Sequence, residues 1–382
     1  MTSEWGQGAG GRPAGRIHAQ AVFGWGMRKR WLWILPLAVA ATIVWLSAQS
    51  RYPGGIELPP PFDKGAHAAT FGFLAWVLDL ALQRNQPGLP MYRRHMVVFL
   101  AVAVFGASDE WHQHFVAGRS CEVADWVADT AGAALALAAG NLHLLFTRHL
   151  EALSWLRGAC RRPDPSRDLI LVADPHWGAT LTGLAEATAA HPEADWLFLG
   201  DVFDVWVGLP GMETDGQRTF LAWVDARRAA GRWVGLWLGN REYFLDGHAG
   251  RFDLLGEGLG GRLEGEDLAW EHGDLINAAD HQYRLWNLVS RSGPLWLAFR
   301  LMPGGTARAV SAWMEQKLRT TNAAYKVAFP REAFRRAAAA QAGATFLTGH
   351  FHTHEVEANG IALPWAHEGR FMVWRRGVVG EL

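Results

Sequence analysis

Two patterns of apolar residues divide this chain. Before Arg148 they form long runs: Trp31 to Ser47, Ala66–Leu82, His95–Ala107 and Ala124–Phe146. Runs of this length predict helices suited to a membrane. After Asp168 the runs shorten to Leu169–Ala173, Trp196–Leu199, Trp233–Leu238, Leu268–Trp270 and Thr345–Leu347, each followed by a polar motif. That pattern predicts buried strands with loops at their carboxyl ends. Leu181–Ala190 and Thr219–Ala230 predict intervening helices, and residues 278–341 form a helix-rich stretch. Residues 1–27, rich in Gly and Arg, are expected to be disordered. Residues 148–167, basic and turn-rich at Arg161–Pro165, are expected to be a linker between residues 28–147 and 168–382.

The first run follows Arg28-Lys29-Arg30 after a start that is long for a signal peptide, which favours a spanning helix over one. The other runs are less clean. The second carries His67 and Asp79, the third is short, and the fourth carries Asp125 and Asp129. Ala131-Gly132-Ala133-Ala134 would let helices approach closely in lipid. Four spans put both ends on one side of the membrane. Arg28, Lys29 and Arg30, then Arg84, Arg93 and Arg94, then Arg148, Arg157, Arg161 and Arg162 all fall on that side. Positive-inside logic makes it the cytoplasm. The expectation is an all-α four-helix transmembrane bundle followed by a cytoplasmic α/β half.

Composition changes this picture little. A net charge of −1 gives no overall electrostatic footprint for nucleic acid. Cys121 and Cys160 stand too far apart in sequence to signal a disulfide framework or a Cys-based zinc site. The 21 Trp residues suit contact with lipid.

The chemistry lies in five ordered motifs: Asp174-Pro175-His176, Gly200-Asp201-Val202-Phe203-Asp204, Gly239-Asn240-Arg241-Glu242, His272-Gly273-Asp274 and Gly349-His350-Phe351-His352. Carboxylates, an amide and imidazoles in this number suit a pair of hard-to-borderline divalent ions such as Mn2+. Such a pair activates water and clamps a phosphoryl group. Strand alternation would put Asp174 and His176 on one face, to bind one ion. Asp201, after a glycine turn, could bridge two. Asn240 offers a neutral oxygen, and His272, His350 and His352 complete the set. Asp204 and Asp274 are expected to orient ligands, and His354 and His367 to be bystanders.

On these motifs, residues 168–382 resemble the calcineurin-like metallophosphoesterase superfamily. More narrowly they resemble the UDP-2,3-diacylglucosamine diphosphatases of lipid A biosynthesis. The resemblance implies a four-layer αββα sandwich with a helical lid insertion and two Mn2+ ions. Carried over, one ion is held by Asp174, His176, Asp201 and His352, and the other by Asp201, Asn240, His272 and His350. Gly200 to Gly208 matches the family's Gly-Asp-x-Phe-Asp-x-Trp-x-Gly pattern. Arg241 stands where many phosphoesterases of the superfamily have His, as it does in this family. A fixed guanidinium suits a diphosphate, whose leaving group needs little protonation. Asp201, Asn240 and Arg241 are thus the expected catalytic residues. The lid, about 278–341, would offer Arg284, Trp286, Arg291 and Lys317 to a lipid-linked nucleotide diphosphate. The first motif has Pro175 and Trp177 and the last has Phe351 and His354, where the family pattern differs. The ligands are kept, but the substrate is less tightly specified.

Residues 28–147 resemble VanZ-like membrane proteins, through Asp63-Lys64-x-x-His67-x-x-x-Phe71, Asp109-Glu110-x-x-Gln113, Gly118-Arg119 and Asp125-x-x-x-Asp129-x-x-Gly132. His67, Glu110, Gln113, Arg119, Asp125 and Asp129 form a polar set that could be functional or could simply pair internally. The joint expectation is an enzyme on the bacterial inner membrane that cleaves UDP-2,3-diacylglucosamine to UMP and 2,3-diacylglucosamine 1-phosphate. Two alternatives are another phosphodiester or phosphomonoester substrate, or a working membrane module with a regulatory soluble half.

Overall fold

A computed structural model describes residues 17–19, 30–50, 62–86, 88–117, 119–140, 155–157, 162–258, 260–263, 267–277, 280–303, 305–307, 309–314, 329–341, 343–367, 369–375 and 377–382. A helical N-terminal region is followed by a region of mixed sheets and helices. The first helices are α1 (Ile34–Ser47), α2 (Phe62–Asn85), α3 (Met91–Gln113) and α4 (Val123–Gly140). They pack around Ile43, Phe71, Leu74, Ala75, Val98, Val102, Ala133 and Leu137. Gly132 lies so close to the backbone of Ala68 that a Cβ there would come within 2.0 Å of its carbonyl oxygen, which fixes the approach of α4 to α2. Among the described helices, Phe62–Asn85 alone is both long and apolar enough to cross a membrane, and Trp31–Ser47 is a shorter apolar helix. The expected four spans therefore reduce to one by this measure. Arg93, Arg94, Asp109 and Glu110 in α3 and Asp125 and Asp129 in α4 interrupt their apolar runs.

Two sheets make up the second region. One orders Val378–Glu381, Met372–Arg375, Leu169–Val172, Asp195–Phe198, Val234–Trp237, Leu254–Glu257 and Trp155–Arg157, with its four central neighbours parallel. The other orders Ile17–Ala19, Gly261–Leu263, Leu268–Glu271, Thr345–Thr348, Gly360–Ala362 and Glu355–Glu357. Alternation along the strands fills three cores. Leu169, Leu171, Leu197 and Trp237 meet Leu268, Trp270 and Leu347 between the sheets. Ile170, Val172, Trp196 and Phe198 instead face α5 (Leu184–Ala190) and α6 (Asp215–Ala229) through Leu184, Phe220 and Val224. Behind the second sheet, Ala269 and Phe346 pack on Phe334 and Ala338 of a later helix, Arg331–Ala339. The order of layers is helix, sheet, sheet, helix.

Two expectations change here. Ile17–Ala19 pairs antiparallel with Gly261–Leu263, so this part of the supposedly disordered N-terminus is a strand. Within the supposed linker, Trp155–Arg157 pairs with Leu255–Glu257 at a sheet edge. In both cases backbone pairing at a sheet edge supplies order that local composition does not signal. The remainder of 1–27, along with 148–154, 158–161 and the end of the fourth apolar run, lies outside the described residues.

The two regions meet at the start of α3. Tyr92 packs on Phe244 and Trp296, with ring centroids 5.0 and 5.6 Å away, and its hydroxyl donates to Asp246. Arg93 pairs with the same carboxylate at 2.8 Å.

Candidate metal centre

Each motif follows a strand, so all five loops gather at the carboxyl ends of the parallel strands. There they form two groups whose donor atoms lie within 4.8 Å of one another: Asp174, His176 and His352, and Asp201, His272 and His350. Either group could hold a metal ion. His176 Nε2 is 3.2 Å from His352 Nε2, and Asp201 Oδ2 lies 3.8 Å from His176 Nε2. The other oxygen of Asp201, Oδ1, is 3.6 Å from His272 Nε2, so this carboxylate stands between the groups. Asn240 Oδ1 is 3.0 Å from His272 Nε2 and 3.1 Å from His350 Nδ1, which places it in the second group.

The backbone explains how neighbours in sequence reach one point. Asp174, His176, Asp201, His350 and His352 all have positive φ, at 52°, 44°, 51°, 69° and 54°. Such a conformation costs a residue with a Cβ about 1–2 kcal/mol. Here Asp174 N and His176 N donate to Gly200 O and Asp201 O, which holds the turns in place. The expected strand alternation at Asp174 and His176 is thus corrected. The strand ends at Val172, and left-handed turns converge the two side chains. Gly200 is required for a related reason, because a Cβ there would lie 2.5 Å from His272 Nδ1.

Glu242 was quoted in its motif without a role, yet it organises the centre. Its buried carboxylate accepts from Asp201 N at 3.0 Å, Val202 N at 2.7 Å and Gly239 N at 2.8 Å. A carboxylate just after the Gly239-Asn240 turn, where the short strand Glu242–Tyr243 begins, was the available signal. The imidazole of His272 meets Leu199 O through Nδ1 at 2.7 Å, which leaves Nε2 to face the centre. Asp204 Oδ1 lies 3.6 Å from His176 Nδ1, and Asp274 accepts from Tyr283 and, at 3.4 Å, from Asn287. His352 stacks on Trp365, which in turn stacks on His367, so His367 touches the centre through one ring.

The electrostatics fit a cation. Asp174 is fully buried, and its Oδ1 has no hydrogen-bond partner among the described residues. Burial, opposed by the charge of His272 and reinforced by Asp201, pushes the Asp174 carboxyl up to about 8. Burial would pull the His272 imidazole down, but Asp201, Asp174 and Asp274 outweigh it and hold it at about 9. Burial, helped by the His272 charge, lowers His350 to about 3 and His352 to about 4.

A pH dependence follows for the metal-free chain. Above pH 3.8 folded Asp174 keeps a proton that the unfolded chain releases, and above pH 6.5 His272 does the same. Asp174's contribution to stability declines from pH 3.8 to 8 and that of His272 from 6.5 to 9, so both decline together between 6.5 and 8. His176, His350 and His352 are neutral in the folded chain but half protonated in the unfolded chain at pH 6.5, so they oppose the fall at the start of that window and add little slope towards pH 8. The melting temperature of EDTA-treated chain should fall over this window, and saturating Mn2+ should flatten the fall by replacing protons with ions. A melting temperature that rises instead would contradict the assignment.

The expected substrate residues divide. Arg291 pairs with Glu257, donates to Gly239 O at 2.6 Å and lies over the Tyr243 ring. It braces the Asn240 loop and is not a cation offered to substrate, because burial forces its guanidinium to satisfy carbonyls and a carboxylate close by. Arg284 is buried on α7 (His281–Ser290), while Trp286 on the same helix is 47% exposed. Lys317 lies outside the described residues.

In the N-terminal region, Lys64 pairs with Asp125, Glu122 and Asp63, and His67 Nδ1 meets Asp129 Oδ1 at 3.0 Å. Gln113 donates to Asp109 at 2.9 Å, and Arg119 to Gln49 O and Leu46 O. The polar set therefore comes from α2, α3, α4 and the loop after α3, with Arg119 reaching the end of α1. Gly118 lies outside the described residues.

Residues 23–144 match the VanZ/LLP1 family model, so this region is a VanZ-like domain. No curated protein matches the chain.

Proposed function

We propose that the chain is a membrane-anchored dinuclear-metal hydrolase of a nucleotide diphosphate lipid, with UDP-2,3-diacylglucosamine as the substrate that the motif resemblance favours. The observation that carries this reading is Asp201, whose two oxygens face His176 and His272, one from each donor group. That is the place of a bridging carboxylate in a two-ion site. Two divalent ions, Mn2+ by donor chemistry, would supply activated water and charge neutralisation when bound. The chain supplies the rest. Glu242 and Leu199 O hold Asp201 and His272 in position. Arg241 is buried with its Nε 3.7 Å from Asp201 Oδ2, beside the carboxylate that faces both donor groups, where a guanidinium can offset the charge of a diphosphate. In this reading the sheets and the helices at 281–301 form the calcineurin-like sandwich and its lid. The VanZ-like domain is the multi-pass anchor, and its outward-facing Leu37, Trp45, Trp76, Leu100, Val104 and Leu135 support a lipid-facing surface. The contact of Tyr92 and Arg93 with Asp246 would hold the site close to the cytoplasmic membrane surface.

The test is release of UMP from UDP-2,3-diacylglucosamine by detergent-purified chain, with Mn2+ and with EDTA. Metal-dependent release is expected. No release by a preparation that hydrolyses an aryl phosphodiester would move the substrate elsewhere. Arg241→Lys should lower kcat by about 10²-fold with metal content unchanged. A lysine keeps charge but loses the bidentate fork, so wild-type turnover in this variant would remove the guanidinium from the mechanism.

A further inference from the structure

We propose that His67, Glu110 and Asp129 form a separate divalent-cation site inside the VanZ-like domain, suited to an ion such as Zn2+ that takes nitrogen and oxygen donors. The three residues come from three helices, α2, α3 and α4, and their donor atoms lie within 4.8 Å of one another. His67 Nδ1 and Asp129 Oδ1 are 3.0 Å apart. Two ligands that each sit about 2.1 Å from one zinc ion are separated by roughly 3–3.5 Å. One imidazole and two carboxylates leave a coordination position open, as zinc sites that act on a ligand do.

A second observation points to an ion and not merely to an ion pair. Asp129 is 0% exposed, and its Oδ2 has no hydrogen-bond partner among the described residues. That oxygen lies against α3, where a Cβ on Gly106 would stand 3.1 Å from it, one turn before Glu110. Burying a carboxylate oxygen with no donor is costly unless a charge compensates it. The nearby charges leave room for one. The described stretch from α2 to α4 holds the carboxylates Asp63, Asp109, Glu110, Glu122, Asp125 and Asp129, with Lys64 and His67 among the basic groups paired with them. Lys64 is engaged by Asp63, Glu122 and Asp125, and Arg119 donates to the carbonyls that end α1. A divalent ion at His67, Glu110 and Asp129 would replace the His67–Asp129 hydrogen bond and supply the missing charge.

The experiment measures Zn2+ bound per full-length chain in lipid nanodiscs, after EDTA stripping and equilibrium dialysis. Asp129→Asn and Glu110→Gln keep side-chain size, and each should bind one equivalent fewer than wild type. If Asp129→Asn fails to fold, Glu110→Gln carries the comparison. Adding Glu110→Gln to the Asp201→Ala chain should again remove one equivalent, whatever metal the sheet-region centre retains. The result is therefore independent of the centre in the sheet region. Zinc binding equal to wild type in the folded variants would overturn the proposal and leave a buried His–Asp hydrogen bond around a protonated carboxyl.

Discussion

Replacing Asp201 with Ala should lower metal-dependent phosphoester hydrolysis by about 10³-fold or more, with the fold retained. The reason is its position. Asp201 contributes one oxygen to the neighbourhood of His176 and the other to that of His272, and its Oδ1 also accepts from Arg241 N at 2.9 Å. Removing the carboxylate separates the two donor groups and frees the Arg241 loop. The fold should tolerate the change, because Asp201 is itself a strained, desolvated charge. Its carboxyl is raised by burial, which is opposed by His272 and Arg241. Turnover and bound Mn2+ measured on one preparation check both halves. Loss of activity with full metal content would make Asp201 a substrate-facing group, and retained activity would remove the bridging role.

The loops of this centre were legible because residue type and strand ends coincide. Asp174, Asp201, Asn240, His272 and His350 each follow a short apolar run, and the runs are strands. The geometry inside the loops was not legible. Asp174 and His176 share a strand-like spacing, yet positive φ at both residues brings them together. The Trp content was informative in part: Trp45 and Trp76 face outward on the helices, but others do not. Trp196, Trp206, Trp237 and Trp270 are fully buried in the sheet region, where large rings fill the layers. Gly235 serves this packing, since a Cβ there would lie 2.2 Å from the Trp233 ring.

Long-range pairing was least visible. Nothing around Ile17 or Trp155 encodes a strand, because their order comes from Gly261–Leu263 and Leu255–Glu257 far along the chain. Internal pairing was one of the two readings of the polar set in the helical half, and within that half Lys64 pairs with Asp125. The contact of Tyr92 with Asp246 spans 154 residues and had no sequence signal.

Glu242→Ala should be the most destabilising single change near the centre, even though Glu242 is no ligand. Its carboxylate accepts three backbone N–H groups, from Asp201, Val202 and Gly239, in a site almost closed to water. Alanine leaves all three without an acceptor, at about 1–3 kcal/mol each. A melting temperature lower by on the order of 10 °C is expected, since each kcal/mol shifts a domain of this size by about 2–4 °C. One effect opposes this. Burial, reinforced by Asp201, holds the Glu242 carboxyl up at about 7, so its removal also relieves a buried charge. Glu242→Gln separates the two contributions in part, because its one amide oxygen can still accept from Asp201 N and Gly239 N while the charge is gone and the NH2 group is left facing Val202 N. If hydrogen bonding dominates, Gln should restore part of the melting temperature lost in Ala. If Gln and Ala melt alike, the charge and not the three N–H bonds holds the Asp201 turn. The same variants read function, because a loosened Asp201 turn should raise the Mn2+ concentration needed for half-maximal activity by about 10–100-fold, in Ala more than in Gln.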